Sequence, residues 1–151
     1  MKYIEEKRDL FTVSDDYYFA HCISADFGMG AGIVVEFNKR FDMKNKLMSK
    51  YSDYLATYDY QIGFCNKKGS CILEDRVFNL ITKRNYWNKP TYESLEASLV
   101  SMKDICISKG ITKIAMPLIG CGIDKLKWNN VSSIIKNVFD DTDIEILVCR
   151  L

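Results

Sequence analysis

The run Tyr17-Tyr18-Phe19-Ala20-His21-Cys22-Ile23 is aromatic and β-prone, and its only polar groups are the tyrosine hydroxyls and His21. A strand without polar alternation has no face to offer water. It must be covered on both sides, which calls for a parallel or mixed sheet with helices above and below. Further β-type runs occupy residues 76–82, 111–116 and 143–151. Between them lie stripes at helical spacing: Ile33, Val34, Phe37 and Phe41; Tyr92, Leu95, Leu99, Met102 and Cys106; and Trp128, Val131, Ile134, Ile135, Val138 and Phe139. Thr91 is placed to cap the middle helix and Gly110 to end it. The remaining expected elements are a first strand over residues 1–13 that includes Asp9-Leu10-Phe11, a helix over 44–58, and a hairpin of residues 60–65 and 70–73 turning through Asn66-Lys67-Lys68-Gly69. Strands alternating with amphipathic helices predict a three-layer α/β/α domain with a central mixed, largely parallel sheet.

At 151 residues and 48% hydrophobic content the chain has the apolar material for one sizeable core, and residues 1–151 read as a single domain. A net charge of +1 argues against a broad electrostatic footprint for nucleic acid. Substrate is expected to be gripped by a pocket rather than by a field. Cys22, Cys65, Cys71, Cys106, Cys121 and Cys149 show no CxxC pairing and several sit in apolar runs, so a reducing compartment without a disulfide framework is expected. With His21 the only histidine and no ligand cluster beside it, neither metal nor cofactor is expected. His21 itself reads as a core or strand-end histidine. The N-terminus Met1-Lys2-Tyr3-Ile4-Glu5-Glu6-Lys7-Arg8 is charged where a signal or membrane segment would be apolar. The reading is a cytoplasmic, soluble protein without membrane contact and, lacking a long hydrophobic seam, a monomer.

Two glycine loops follow predicted strands. In Ser24-Ala25-Asp26-Phe27-Gly28-Met29-Gly30-Ala31-Gly32 the glycines lead from the buried strand into a helix N-terminus, where N–H groups and helix dipole attract an anion. In Ile119-Gly120-Cys121-Gly122-Ile123-Asp124 two glycines flank one small residue, which lets the main chain turn tightly and present its N–H groups to a phosphate. Each loop also has a plainer reading, as a flexible connection or a surface turn with a solvated Asp124. Lys83, at the end of another predicted strand, reads more simply as a solvated lysine than as a catalytic one. The argument for function is positional: ligands of such sheets bind beyond the carboxyl ends of the strands, where both loops and Lys83 converge.

These motifs, His21-Cys22-Ile23-Ser24 with Met29-Gly30-Ala31-Gly32-Ile33, Leu80-Ile81-Thr82-Lys83, Lys89-Pro90-Thr91-Tyr92-Glu93, Met116-Pro117 and Ile119-Gly120-Cys121-Gly122-Ile123-Asp124, resemble a macrodomain. Within that superfamily the chain is similar to the terminal ADP-ribose protein glycohydrolase branch, to which the DNA ADP-ribose glycohydrolase antitoxins are related. The resemblance runs from Asp9-Leu10-Phe11 to Leu151. It implies that Asp9 and Leu10 hold adenine, and that Ser24 with Met29, Gly30, Ala31, Gly32 and Ile33 lies around the distal ribose and diphosphate. Pro117, Leu118, Ile119, Gly120, Cys121, Gly122 and Ile123 would form the second phosphate and ribose loop, and Leu151 would touch the adenosine half. Lys83 and Asp124 match the catalytic pair: the lysine forms a covalent adduct with the distal ribose, the aspartate moves protons, and water releases the adduct.

The resemblance thus implies an ADP-ribosyl hydrolase removing mono-ADP-ribose, or the terminal ADP-ribose, from glutamate- or aspartate-modified protein, with O-acetyl-ADP-ribose deacylation as a side activity. ADP-ribosylated DNA as substrate, a non-catalytic ADP-ribose-binding module and a phosphatase of phosphorylated ADP-ribose are the other readings. A pure reader needs neither Lys83 nor Asp124. Better-known macrodomain hydrolases have an asparagine pair after the second strand and a longer glycine run followed by an acidic residue. This chain has Ser24-Ala25-Asp26 and Gly30-Ala31-Gly32 there, so their water-based mechanism does not transfer. The C-terminal Val148-Cys149-Arg150-Leu151 also lacks the aromatic that some relatives stack on adenine.

Overall fold

The computed structural model describes residues 1–62 and 69–151. In chain order its elements are β1 (Lys2–Lys7), a 3-10 turn (Leu10–Thr12), β2 (Tyr18–Ser24), α1 (Val34–Phe41), α2 (Met43–Lys50), α3 (Tyr54–Ile62), β3 (Ser70–Glu74), β4 (Val77–Lys83), α4 (Tyr92–Lys109), β5 (Lys113–Met116), α5 (Trp128–Phe139) and β6 (Glu145–Arg150). The strands form one sheet in the order β1-β6-β5-β2-β4-β3. All neighbouring pairs are parallel except β3 with β4, so the sheet is mixed and largely parallel, as its buried runs predict.

Side chains alternate between the two faces of each strand, and that period divides the interior in two. Ala20, Phe78, Leu80, Ile114, Met116, Ile146 and Val148 pack against Leu95, Leu99 and Met102 of α4 and Val131, Ile135 and Phe139 of α5. On the opposite face Phe19, Ile23, Val77, Ile81, Ala115 and Leu147 meet Leu10 of the 3-10 turn, Phe37 of α1, Met43 and Leu47 of α2 and Tyr58 of α3. These are the three layers. Each fully buried aliphatic or aromatic side chain contributes on the order of 1.5–3 kcal/mol relative to exposure.

The second core contains one polar pair. His21 and Asn79 are register partners on β2 and β4, both fully buried, and His21 Nε2 donates to Asn79 Oδ1 at 2.6 Å. Asn79 Nδ2 in turn donates to the Ile72 and Val77 carbonyls. Burial lowers the imidazole pKa to about 4 despite the Asn79 bond, so the ring is neutral at physiological pH. His21 is a core histidine, as its setting in the run predicts.

Helix α4 starts and stops as expected. Thr91 forms a capping box with Ser94, and Gly110 closes the helix in the left-handed region at φ 69°. Three expectations need correction. The helix over residues 44–58 is two helices, because Tyr51 leaves the helical region at ψ 43° and the chain restarts at Tyr54. The 60–65 strand is replaced up to Ile62 by α3, and the rest of that strand and the Asn66-Lys67-Lys68 part of its turn lie outside the described residues. The partner of β3 is instead β4, through a turn at Asp75 and Arg76 with Asp75 at φ 53°. Asp9-Leu10-Phe11 lies beyond the first strand, with Asp9 capping the 3-10 turn. No helix among the described residues is long and apolar enough to cross a membrane.

Candidate active site

Because β1, β6, β5, β2 and β4 run in parallel, their carboxyl ends share one edge of the sheet. A cleft of about 1100 Å³ opens along that edge. Most of its walls continue strands: Arg8 and Asp9 after β1, residues 28–34 after β2, Lys83 and Tyr86 at the end of β4 and beyond, residues 117–124 after β5, and Arg150 and Leu151 closing β6, with Glu36 and Arg40 of α1 and Lys44 of α2 completing the rim. This is the general location of ligand sites on open parallel sheets.

Lys83 Nζ donates to Asp124 Oδ1 at 2.6 Å, across a sequence separation of 41 residues. Their side chains are only 11% and 13% exposed, so the pair is largely removed from water and Coulomb attraction is weakly screened. A packed strand carries the lysine and a glycine loop carries the carboxylate. Gly120 sits at φ 73°, where an L-residue is strained, and a Cβ there would meet Leu126 Cδ1 at 2.9 Å. Leu126 N donates to the Gly120 carbonyl at 2.7 Å and Lys125 N to the Gly122 carbonyl at 3.2 Å, which folds the loop back on itself around Asp124. Lys89 Nζ adds an outside tie to the Ile123 carbonyl at 3.2 Å.

The first glycine loop is built around Asp26. Its Oδ1 accepts from the Ser24 hydroxyl and from Gly28 N at 3.0 Å; its Oδ2 accepts from Tyr86 N at 3.1 Å and Asn85 Nδ2 at 3.4 Å. Burial by itself would raise this carboxyl, but the hydrogen bonds, led by that from Ser24, outweigh it and hold the pKa below the ordinary value. The carboxylate therefore locks the loop to the segment just past Lys83. At the far end Gly32 lies at φ 78°, with Ile123 Cδ1 3.1 Å from where its Cβ would be, so the two loops touch. Ile33 occupies the N-cap position of α1 and cannot cap it with a side chain, and residues 30–34 line the cleft. The positive end of the α1 dipole is accordingly presented to the ligand space.

Chemically, this is one amine and one carboxylate in contact, flanked by two main-chain turns suited to phosphate. The thiols nearby are not competitors for the nucleophile. Burial, reinforced by the Asp124 carboxylate, pushes Cys22 well above its ordinary value, and burial raises Cys121 as well. Among the described residues no group of His, Cys, Asp and Glu is arranged to hold a metal ion.

The family model described as Macro domain matches residues 29–135. The chain belongs to the macrodomain family. This macrodomain is 41% identical over 145 residues to the human protein named ADP-ribose glycohydrolase OARD1, an alignment spanning 96% of this chain and 89% of that one. Among solved structures it superposes on the macrodomain of Mycobacterium tuberculosis DarG with a TM-score of 0.78 at 17% identity, covering 97% of this chain and 96% of that chain. It also superposes on Thermosipho africanus DarTG in complex with ADP-ribose, with a TM-score of 0.72 at 16% identity, over 99% of this chain and 42% of the other. At those identities the two structures share the fold.

In this macrodomain the cleft gathers Asp9, Leu10, Ser24, Met29, Gly30, Ala31, Gly32, Ile33, Lys83, Pro117, Leu118, Ile119, Gly120, Cys121, Gly122, Ile123, Asp124 and Leu151. Their settings differ. The Ser24 hydroxyl is engaged by Asp26, Asp9 Oδ1 accepts from Phe11 N at 2.9 Å, and Leu151 is 95% exposed. Sequence reasoning missed Arg8 and Arg150, which meet where Arg8 N donates to the Arg150 carbonyl at 2.9 Å. It also missed Phe11 with the Arg40 guanidinium 4.3 Å above its ring, and Tyr86 beside Lys83. The strand-end rule that selected Lys83 would have found Arg8, Tyr86 and Arg150. Arg40 projects from a helix and left no such signal.

Proposed function

We propose that the chain is an ADP-ribosyl hydrolase that removes ADP-ribose from glutamate or aspartate side chains through a covalent adduct on Lys83. The observation that carries the reading is the Lys83 Nζ to Asp124 Oδ1 contact of 2.6 Å inside a cleft walled by two glycine turns. The name of the human relative, ADP-ribose glycohydrolase, and the ADP-ribose bound to the Thermosipho africanus protein support the same substrate class. In this reading the diphosphate lies between the start of α1 and the turn at residues 119–123. Adenine reaches Asp9, Leu10 and Leu151, and Phe11 supplies the aromatic wall that Cys149 cannot.

The proton inventory follows from the ion pair. An amine attacks only after it loses a proton, and the proton of Lys83 already lies on the hydrogen bond to Asp124. Transfer along that bond leaves a neutral amine and a carboxylic acid. The Nζ–C1″ bond to the distal ribose forms, the bond from C1″ to the acceptor carboxylate oxygen breaks, and Asp124 gives its proton to that oxygen, so the acceptor leaves as a carboxylic acid that ionises in water. Asp124, having released its proton during adduct formation, accepts one from the water that attacks C1″. The C1″–Nζ bond breaks, the amine regains its proton, and free ADP-ribose departs. An acetyl ester borne on C1″ of ADP-ribose presents the same leaving group and is cleaved by the same steps.

The decisive experiment incubates wild type, Lys83→Ala and Asp124→Ala with glutamate-ADP-ribosylated protein and follows free ADP-ribose. Wild type is expected to release it and both variants to fail, with an ADP-ribose adduct trapped on Asp124→Ala visible by mass spectrometry. Full activity of Lys83→Ala would remove the nucleophile from the reading, and release of phosphate instead of ADP-ribose would replace the reaction.

A further inference from the structure

Two residues past Lys83 the chain enters a tight turn in which Asn85 N donates to Asn88 Oδ1 at 2.8 Å and Asn88 N donates to the Asn85 carbonyl at 3.0 Å. At its apex stand Tyr86 and Trp87, 63% and 65% exposed, with ring centroids 4.9 Å apart and planes at 87°. Two large aromatic rings in water forgo burial that each could find in an interface. The display is also held rigidly. Tyr86 N is bonded to Asp26 Oδ2 at 3.1 Å, and the Tyr86 ring and Cβ lie 3.1 and 3.0 Å from where Gly28 would carry a Cβ. Tyr86 lines the cleft, whereas Trp87 stands outside it.

We propose that Tyr86 and Trp87 form the docking surface for the acceptor side of the substrate, and that the occupant is an acidic polypeptide segment. The inference rests on the hydrolase reading above and adds the residues that select its macromolecule. Continuity places the surface: it begins at the wall of the cleft that also holds the amine. Chemistry selects the partner. Lys83 is neutralised by Asp124 and Asp26 lies behind the Tyr86 amide, so the cation this face offers is Lys89, whose Nζ is tied to a neutral carbonyl and suits the carboxylates around a modified glutamate. Tyr and Trp beside Arg is the composition of interface hot spots. A single-stranded nucleic acid would also stack on aromatics, but it needs a basic groove along its backbone, and a chain of net charge +1 is poorly supplied for one.

The test compares kcat/KM of wild type, Trp87→Ala and Trp87→Phe on three substrates: O-acetyl-ADP-ribose, a mono-ADP-ribosylated glutamate peptide and an ADP-ribosylated single-stranded oligonucleotide. Trp87→Ala should lose about 10-fold or more on the peptide, in line with a hot-spot aromatic, and nothing on the acetyl ester, with Trp87→Phe restoring most of the loss. Equal loss on all substrates, no loss on the peptide, or a loss confined to the oligonucleotide would overturn the proposal. A binding arm separates it from the hydrolase reading. In a Lys83→Ala background the modified peptide should bind more tightly than free ADP-ribose, and Trp87→Ala should abolish the difference. If wild type cleaves none of the three substrates, the hydrolase reading fails, while the binding arm still decides whether the aromatic pair docks peptide.

Discussion

At the scale of single residues, the site turns on what surrounds a charge. Removing Lys83 takes away the proposed nucleophile but leaves both glycine turns, so Lys83→Ala is expected to lose turnover by 10³-fold or more while ADP-ribose titrated calorimetrically binds within a few-fold of wild type. His21 makes a separate prediction because it is the chain's one histidine. Its folded-state pKa of about 4 lies below the unfolded value of about 6.5. Protons therefore bind the unfolded chain first as pH falls, and the neutral ring's contribution is fully present above pH 6.5 and is lost progressively toward pH 4. The loss is on the order of 3 kcal/mol. Urea unfolding between pH 7 and 4 should show that slope, and a His21→Phe chain should lack it, whatever its absolute stability.

Among the elements, the loops form the candidate site and the strands hold them still. Gly120 and Gly30 divide the roles of glycine. Gly120→Ala meets both a positive φ and Leu126, so it should cost roughly 1–2 kcal/mol of stability for the backbone alone and displace Asp124, with turnover falling at least 10-fold. A Cβ at Gly30 meets nothing within 4 Å, so Gly30→Ala should fold with wild-type stability and yet weaken ADP-ribose binding by 10-fold or more, because the added methyl occupies the ligand's approach. Thermal melting and calorimetry on the two variants separate these outcomes. Equal effects on stability and affinity in both would show that Gly30 serves the fold alone. The elements most legible in the sequence were those with their own punctuation: α4 between Thr91 and Gly110, and β2 from an unbroken apolar run. The break at residues 51–53 was hidden because Tyr51 and Tyr54 continue an apolar pattern that a single helix would also satisfy. The β3–β4 hairpin was missed because Asp75-Arg76 lacks the glycine that usually marks a two-residue turn.

For the molecule as a whole, binding and folding should be coupled, since five parallel strand ends wall one cleft and a ligand there holds several segments at once. ADP-ribose at 100 times its Kd adds about 2.7 kcal/mol to stability, which for a chain of this size is a rise in Tm of about 5–10 °C. Scanning fluorimetry with ADP-ribose checks it, and an unchanged Tm at millimolar ligand would show that the folded chain does not bind ADP-ribose. The sequence by itself determined the layered sheet, because runs of period 2 with no polar face and stripes of period 3.6 admit few other burials. It also singled out Lys83 and the two glycine loops, because strand ends and glycines are local marks. Only the tertiary structure decided that Lys83 and Asp124 touch, that Asp26 clamps one loop to the segment bearing the other's partner, and that Arg40 and Tyr86 face the same space. Those relations join residues 40 to 60 positions apart, and a linear pattern carries no distance between residues until parallel strand pairing sets one.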